Sequence, residues 1–260
     1  MMKLETLKNA TLGLVLSGGG IKGMAHIGLL KALTQRGIYP DQISGVSAGA
    51  LVGGLYADGA SIEDMLLFFK ETPLLKYNFV SVNKPRLFDT DKYLHFFETF
   101  FTAHRFEELE KRLVVVATNL LKGEPVYFEK GELFKPLLAS AALPPVFSPV
   151  SISGQLYADG GIMNNFPVEP LTGACDVIIG CYTTSMKEVG KGQIKNALQI
   201  SQRANLLMLH ANAMDKLYVP DFLFVPEELG GIGVLDKKGI DKAFVIGYDH
   251  ANRKLDEWLQ

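Results

Sequence analysis

The chain is short of cysteine, tryptophan and any dominant charge: 260 residues carry two Cys, one Trp, and 26 Lys and Arg against 28 Asp and Glu. A balance this even argues against a general nucleic-acid binder, whose domains show a basic excess or stripe. No stretch approaches the ~20 apolar residues of a membrane span. Residues 1–10 mix Lys3, Glu5 and Lys8 and contain no apolar signal core. Cys175 and Cys181 lie in or beside the apolar run 176–180. If that run is a strand, the two are held roughly 20 Å apart, too far for a disulfide. These scarcities predict a cytoplasmic chain with reduced thiols, whose contact with a membrane, if any, is local.

What is abundant is apolar residues and glycine, at 48% and 26 residues. That content supports one α/β domain over 1–260 with a full core. Two glycine-rich turns stand close together: Ser17-Gly18-Gly19-Gly20-Ile21-Lys22-Gly23, then Gly45-Val46-Ser47-Ala48-Gly49. Each follows a short apolar run and precedes a helical pattern. Strands are expected at 12–16 and 42–46 and helices at 24–35 and 48–57, two β-α units of a parallel sheet. Ser61 to Asp64 has the spacing of a helix cap for 61–70. Residues 72–89 read as loop, and 91–103 as a helix with a broad aromatic stripe. Further strands are expected at 112–118, 125–129 and 176–183, with a hairpin of 150–152 and 155–158 about Ser153-Gly154. Helices over 132–142, 194–217 and 240–259 and a strand over 222–225 complete the pattern.

A strand turning sharply into a helix at Gly-x-Ser-x-Gly exposes the serine hydroxyl, with Gly45 and Gly49 where a Cβ would collide with neighbours. The first turn offers unpaired N–H groups at a helix start, suited to an anion. Together they read as a nucleophile, Ser47, and an oxyanion hole. The pattern Gly18-x-Gly20-x-x-Gly23 also fits a dinucleotide fingerprint. That reading needs an acidic residue at the end of the second strand, where Ser47 stands instead. A Ser-Asp-His triad is compatible in chain order with Ser47, Asp159 and either His210 or His250, although the oxyanion turn lies too near the serine for an α/β-hydrolase. His26, His95 and His104 read as structural or as part of the aromatic block.

The Gly-Gly-Gly-x-Lys-Gly turn, Gly45-Val46-Ser47-Ala48-Gly49 and Asp159-Gly160-Gly161 resemble, in order, three signature blocks of the patatin-like phospholipases. The segment 139–147, Ala-Ser-Ala-Ala-Leu-Pro-Pro-Val-Phe, resembles a fourth. The resemblance spans about 13–165 and departs at Lys22, where many members carry arginine. It implies a three-layer α/β/α fold with a mainly parallel sheet, Ser47 as nucleophile and Asp159 as its sole partner. It also implies an oxyanion hole at Gly18, Gly19, Gly20 and Ile21. Lys22 and Gly23 would support the turn or attract a headgroup, and no cofactor or metal is needed. The expected activity is cleavage of phospholipid, lysophospholipid or other acyl esters through an acyl-serine. The alternatives are a soluble carboxylesterase or thioesterase, and a weakly active lipid-binding or regulatory module. Residues 61–105, with Leu66 to Phe69 and Tyr93 to Phe101, are the candidate lid or interfacial surface.

Overall fold

The computed structural model describes residues 4–72, 90–144, 146–184, 186, 188–190, 192 and 194–259. The loop expected over 72–89 therefore lies, beyond Thr72, outside the described residues. A short helix α1 (Leu4–Lys8) precedes strand β1 (Leu12–Leu16), helix α2 (Met24–Thr34), strand β2 (Gln42–Val46) and helix α3 (Ala48–Ala57). Helices α4 (Ile62–Glu71) and α5 (Thr90–Phe100) follow, then strands β3 (Arg112–Asn119) and β4 (Glu124–Phe128) and helix α6 (Phe134–Ser140). The chain continues through β5 (Val150–Ile152), β6 (Gln155–Asp159), β7 (Val177–Cys181), α7 (Ala197–Ala211), β8 (Phe222–Phe224) and α8 (Ile240–Trp258).

The eight strands form one sheet in the order β5-β6-β3-β2-β1-β7-β8, with β4 also pairing β3. The run from β3 to β8 is parallel, while β6 and β4 join β3 antiparallel. Side chains alternate across such a sheet. Accordingly Leu12, Leu14 and Leu16 enter a large core with α2, α3 and α8, whereas Val15 and Ile178 enter a smaller one beneath Phe166 and Leu171. The result is a three-layer α/β fold.

Local signals explain most boundaries. Ser61 Oγ accepts the Asp64 N–H at 3.0 Å, capping α4. Ser153 and Gly154 both take positive φ, 49° and 76°, as a two-residue turn between paired strands requires. The helix expected over 194–217 is shorter. It runs as α7 from Ala197 to Ala211, and Asn212 just beyond it donates its side-chain amide to the Gly161 and Ile162 carbonyls at 2.9 and 3.2 Å.

The described aromatic side chains of the candidate lid pack mainly inward, while Leu67 in the same segment is 42% exposed. Phe68 and Phe97 are fully buried, and the Phe68 ring lies 5.0–6.3 Å from those of Phe69, Phe96, Phe97, Phe100 and Phe101. The stripe closes the seam between α4 and α5, where apolar area is removed from water.

Candidate active site

Ser47 sits between β2 and α3 with φ 54° and ψ −125°, a conformation rare outside glycine. The turn is tight enough that a Cβ on Gly45 would stand 2.6 Å from the Gly49 carbonyl oxygen. One on Gly49 would run into the Leu16 carbonyl. A buried hydroxyl from α6 secures this geometry: Ser140 Oγ accepts the Ser47 N–H at 2.8 Å and donates to the Val116 carbonyl at 2.6 Å. Two residues on, the Ala142 carbonyl accepts the Asp159 N–H at 2.9 Å. One short segment thus fixes the backbone at both Ser47 and Asp159.

Antiparallel pairing of β6 with β3 sets Asp159 opposite Ala117, at the end of the strand. Ser47 Oγ donates to Asp159 Oδ2 at 2.6 Å, and the other carboxylate oxygen accepts the Gly161 N–H at 2.8 Å. Asp159 is only 3% exposed. Burial pushes its carboxyl up to about 6, outweighing the hydrogen bonds from Ser47 and Gly161, which act in the opposite direction. A carboxylate so placed accepts a proton near neutral pH far better than an exposed aspartate.

Histidine is not part of this arrangement. Among the described residues no imidazole hydrogen-bonds to Ser47 or Asp159. His210 Nδ1 meets the Tyr182 hydroxyl at 2.8 Å. His26 Nε2 meets the Ser17 carbonyl at 2.9 Å, and burial lowers its pKa to about 4.

The glycine turn lies against the elbow: a Cβ on Gly18 would stand 3.3 Å from Ser47 Cβ, and one on Gly23 would stand 2.6 Å from Ala48 Cβ. Gly20 takes φ 58°, and a Cβ there would run into the Val234 carbonyl. The Gly18 carbonyl accepts from Ser17 Oγ, Thr183 Oγ1 and Thr184 Oγ1 at 3.0, 2.9 and 2.8 Å. In a trans peptide the N–H points opposite the carbonyl. Anchoring the Gly18 oxygen among hydroxyls therefore directs the Gly19 N–H away from them. Among the described residues the N–H groups of Gly18, Gly19 and Gly20 have no acceptor. Ile21 corrects the expected donor set: its N–H is bound to the Val234 carbonyl at 2.8 Å, so it is not available to an oxyanion in this conformation. Lys22 is 7% exposed, and burial, aided by the charge of Arg203, lowers its pKa.

A family model described as patatin-like phospholipase matches residues 14–172, a span that includes the glycine turn, Ser47, Ser140 and Asp159. The chain belongs to the patatin-like phospholipase family. The chain is 34% identical over 175 residues to an uncharacterized NTE family protein of Mycobacterium tuberculosis, covering 66% of this chain and 48% of that one. It is 25% identical to lysophospholipase nte1 of Aspergillus fumigatus over 94% of this chain and 18% of that protein. The chain thus spans about half or less of the length of these curated relatives. Among solved structures the patatin-like fold matches VipD from Legionella pneumophila at TM-score 0.55 and 18% identity, over 95% of this chain and 67% of that one.

Sequence reasoning missed the hydroxyls that hold the site. Ser140 lies within the Ala-Ser-x-x-x-Pro segment, but only the fold shows its two bonds. Thr183 and Thr184 stand just beyond β7, at the carboxyl end of a parallel strand, where α/β sheets gather their ligand sites. That position was the available signal.

Proposed function

We propose that this protein is a serine acylhydrolase of the phospholipase A or lysophospholipase type, using Ser47 and Asp159 as a catalytic dyad. The observation that carries the reading is the 2.6 Å contact from Ser47 Oγ to a buried carboxylate whose pKa is raised to about 6. As Oγ attacks the ester carbonyl carbon, Asp159 Oδ2 takes its proton. The tetrahedral oxyanion is held by backbone N–H groups of the glycine turn, with the Gly19 N–H foremost and Gly18 and Gly20 beside it. Collapse breaks the bond to the leaving alkoxide, which receives the proton from Asp159. Water then attacks the acyl-Ser47 carbonyl and loses its proton to Asp159. Collapse of this second intermediate releases the fatty acid and returns the proton to Oγ. The family and the lysophospholipase relatives support a lipid ester as substrate.

The test is release of fatty acid from lysophosphatidylcholine micelles and from a monomeric short-chain ester. Hydrolysis of the micellar lipid, lost in Ser47→Ala with the fold retained by circular dichroism, is the expected result. Turnover of the monomeric ester alone would favour a soluble carboxylesterase. No turnover and no covalent labelling would favour a lipid-binding module.

A further inference from the structure

Helix α7 leaves an apolar stripe on its outer face. Ile200, Ala204, Leu207, Met208 and Ala211 follow the spacing i, i+4, i+7, i+8 and i+11, which is one face of a helix. In a globular protein such a stripe normally faces the core. Here it faces outward: Ile200, Leu207 and Met208 are 57, 46 and 61% exposed, and both alanines are exposed. An apolar helical face left in water at this extent marks a surface that docks.

Two further observations say what it docks on. The first is charge. From Val189 to Met214 the chain has no Asp or Glu, although it carries 28 elsewhere, and it includes Lys191, Lys195 and Arg203. An apolar stripe in a segment free of acid and dotted with cations is the pattern of a helix lying in the headgroup region of an anionic bilayer. The second is position. The main neighbour of α7 among the described elements is the turn Gly160–Ile162, which continues from Asp159. A Cβ on Gly161 would stand 3.3 Å from Leu209, and Asn212 is bonded to the carbonyls of that turn. Ile162 and Met163, 39 and 40% exposed, extend the apolar surface beside it.

We infer that the outer face of α7, with Ile162 and Met163, is the surface by which this protein seats on an anionic phospholipid bilayer. The inference rests on the acylhydrolase reading for its purpose, since a lipid ester must reach Ser47 from its own phase. It places the interfacial surface on the element next to Asp159 rather than on the aromatic segment, whose rings pack around the buried Phe68.

The experiment is co-sedimentation with vesicles of phosphatidylcholine alone and of phosphatidylcholine with phosphatidylglycerol, for the wild type and for Ile200→Asp/Leu207→Asp. These side chains are exposed, so the fold is expected to survive. The milder Ile200→Ser/Met208→Gln serves as a second variant should the first not fold. The wild type should bind the anionic vesicles more tightly than the neutral ones. The variant should lose at least tenfold in that binding and a similar factor in hydrolysis of vesicle lipid, while turnover of a monomeric ester stays within twofold. Vesicle binding unchanged in the variant would overturn the inference. So would conversion of a dimer to a monomer without effect on vesicles, which would give the face to a second copy. Failure of the wild type to hydrolyse any ester would sink the acylhydrolase reading, and the vesicle arm would still decide the surface.

Discussion

Burial raises the Asp159 pKa to about 6, above the ~3.9 of an unfolded aspartate, so the folded chain favours the protonated form. Below about pH 4 the group is neutral in both states and costs nothing. As pH rises through about 6 the folded state must ionise it, and stability falls by an amount on the order of 3 kcal/mol. Asp159→Asn should therefore be more stable than the wild type at pH 8 and indistinguishable from it near pH 4, measured by thermal unfolding. Equal stability at both pH values would contradict the burial argument. The same variant should lose about 10²–10⁴-fold in rate. In the wild type kcat/KM should fall below an apparent pKa near 6, where the base is protonated. Thr183→Val/Thr184→Val tests the oxyanion geometry. Freed from two hydroxyls, the Gly18–Gly19 peptide should rotate more easily, lowering kcat by roughly tenfold or more with KM little changed. A pure KM effect would mean that the turn binds ground-state substrate. The sharp elbow at Ser47 was readable from its glycine spacing, whereas Asp159 came forward as its sole partner only through the family resemblance of its Asp-Gly-Gly turn. The Thr183 and Thr184 roles were not readable, because isolated hydroxyls in a loop carry no periodic signal. Nor could the loss of the Ile21 N–H be read, since Val234 arrives from a distant part of the chain.

At the level of elements, α6 joins the two halves of the site. Ser140→Ala leaves the Ser47 N–H and the Val116 carbonyl without their buried partner, a loss of about 1–3 kcal/mol. Unfolding in urea should show that loss, and kcat should fall in the molecules that remain folded. Wild-type stability with wild-type kcat would show that the hydroxyl holds nothing. Histidine substitutions should divide the helices differently. Alanine at His95, His104, His210 or His250 should keep activity within about tenfold, a barrier change of ~1.4 kcal/mol. Alanine at His26, buried on α2 against the Ser17 carbonyl, should lower stability yet leave the acid limb near pH 6. A collapse of rate in a folded His210 or His250 variant would restore the triad. The β-α units of 12–57 were readable nearly to the residue, because strand, glycine turn and helix succeed one another without interruption. The aromatic stripe of α5 left two readings open, since the same spacing describes a core seam and a lipid surface until its partner, Phe68, is in place. The tie of Asn212 to the turn after Asp159 was hidden, because it joins residues about fifty positions apart.

Over the whole molecule, the parallel strands β1, β2 and β7 bring their carboxyl ends together, placing the glycine turn, Ser47 and the Thr183-Thr184 pair side by side. The antiparallel β6 then supplies Asp159 from the far side of β3. The site is drawn from several distant stretches of chain, so its chemistry depends on the sheet being complete. In the proposed mechanism this assembly activates the Ser47 hydroxyl through Asp159 alone. Labelling with a fluorophosphonate, followed by peptide mass spectrometry, tests it most directly. Label is expected on Ser47 in the wild type and not in Ser47→Ala, with labelling slowed by about 10²-fold or more in a folded Asp159→Asn. Label on Ser17, Ser140 or another serine, or labelling of Asp159→Asn at the wild-type rate, would contradict it.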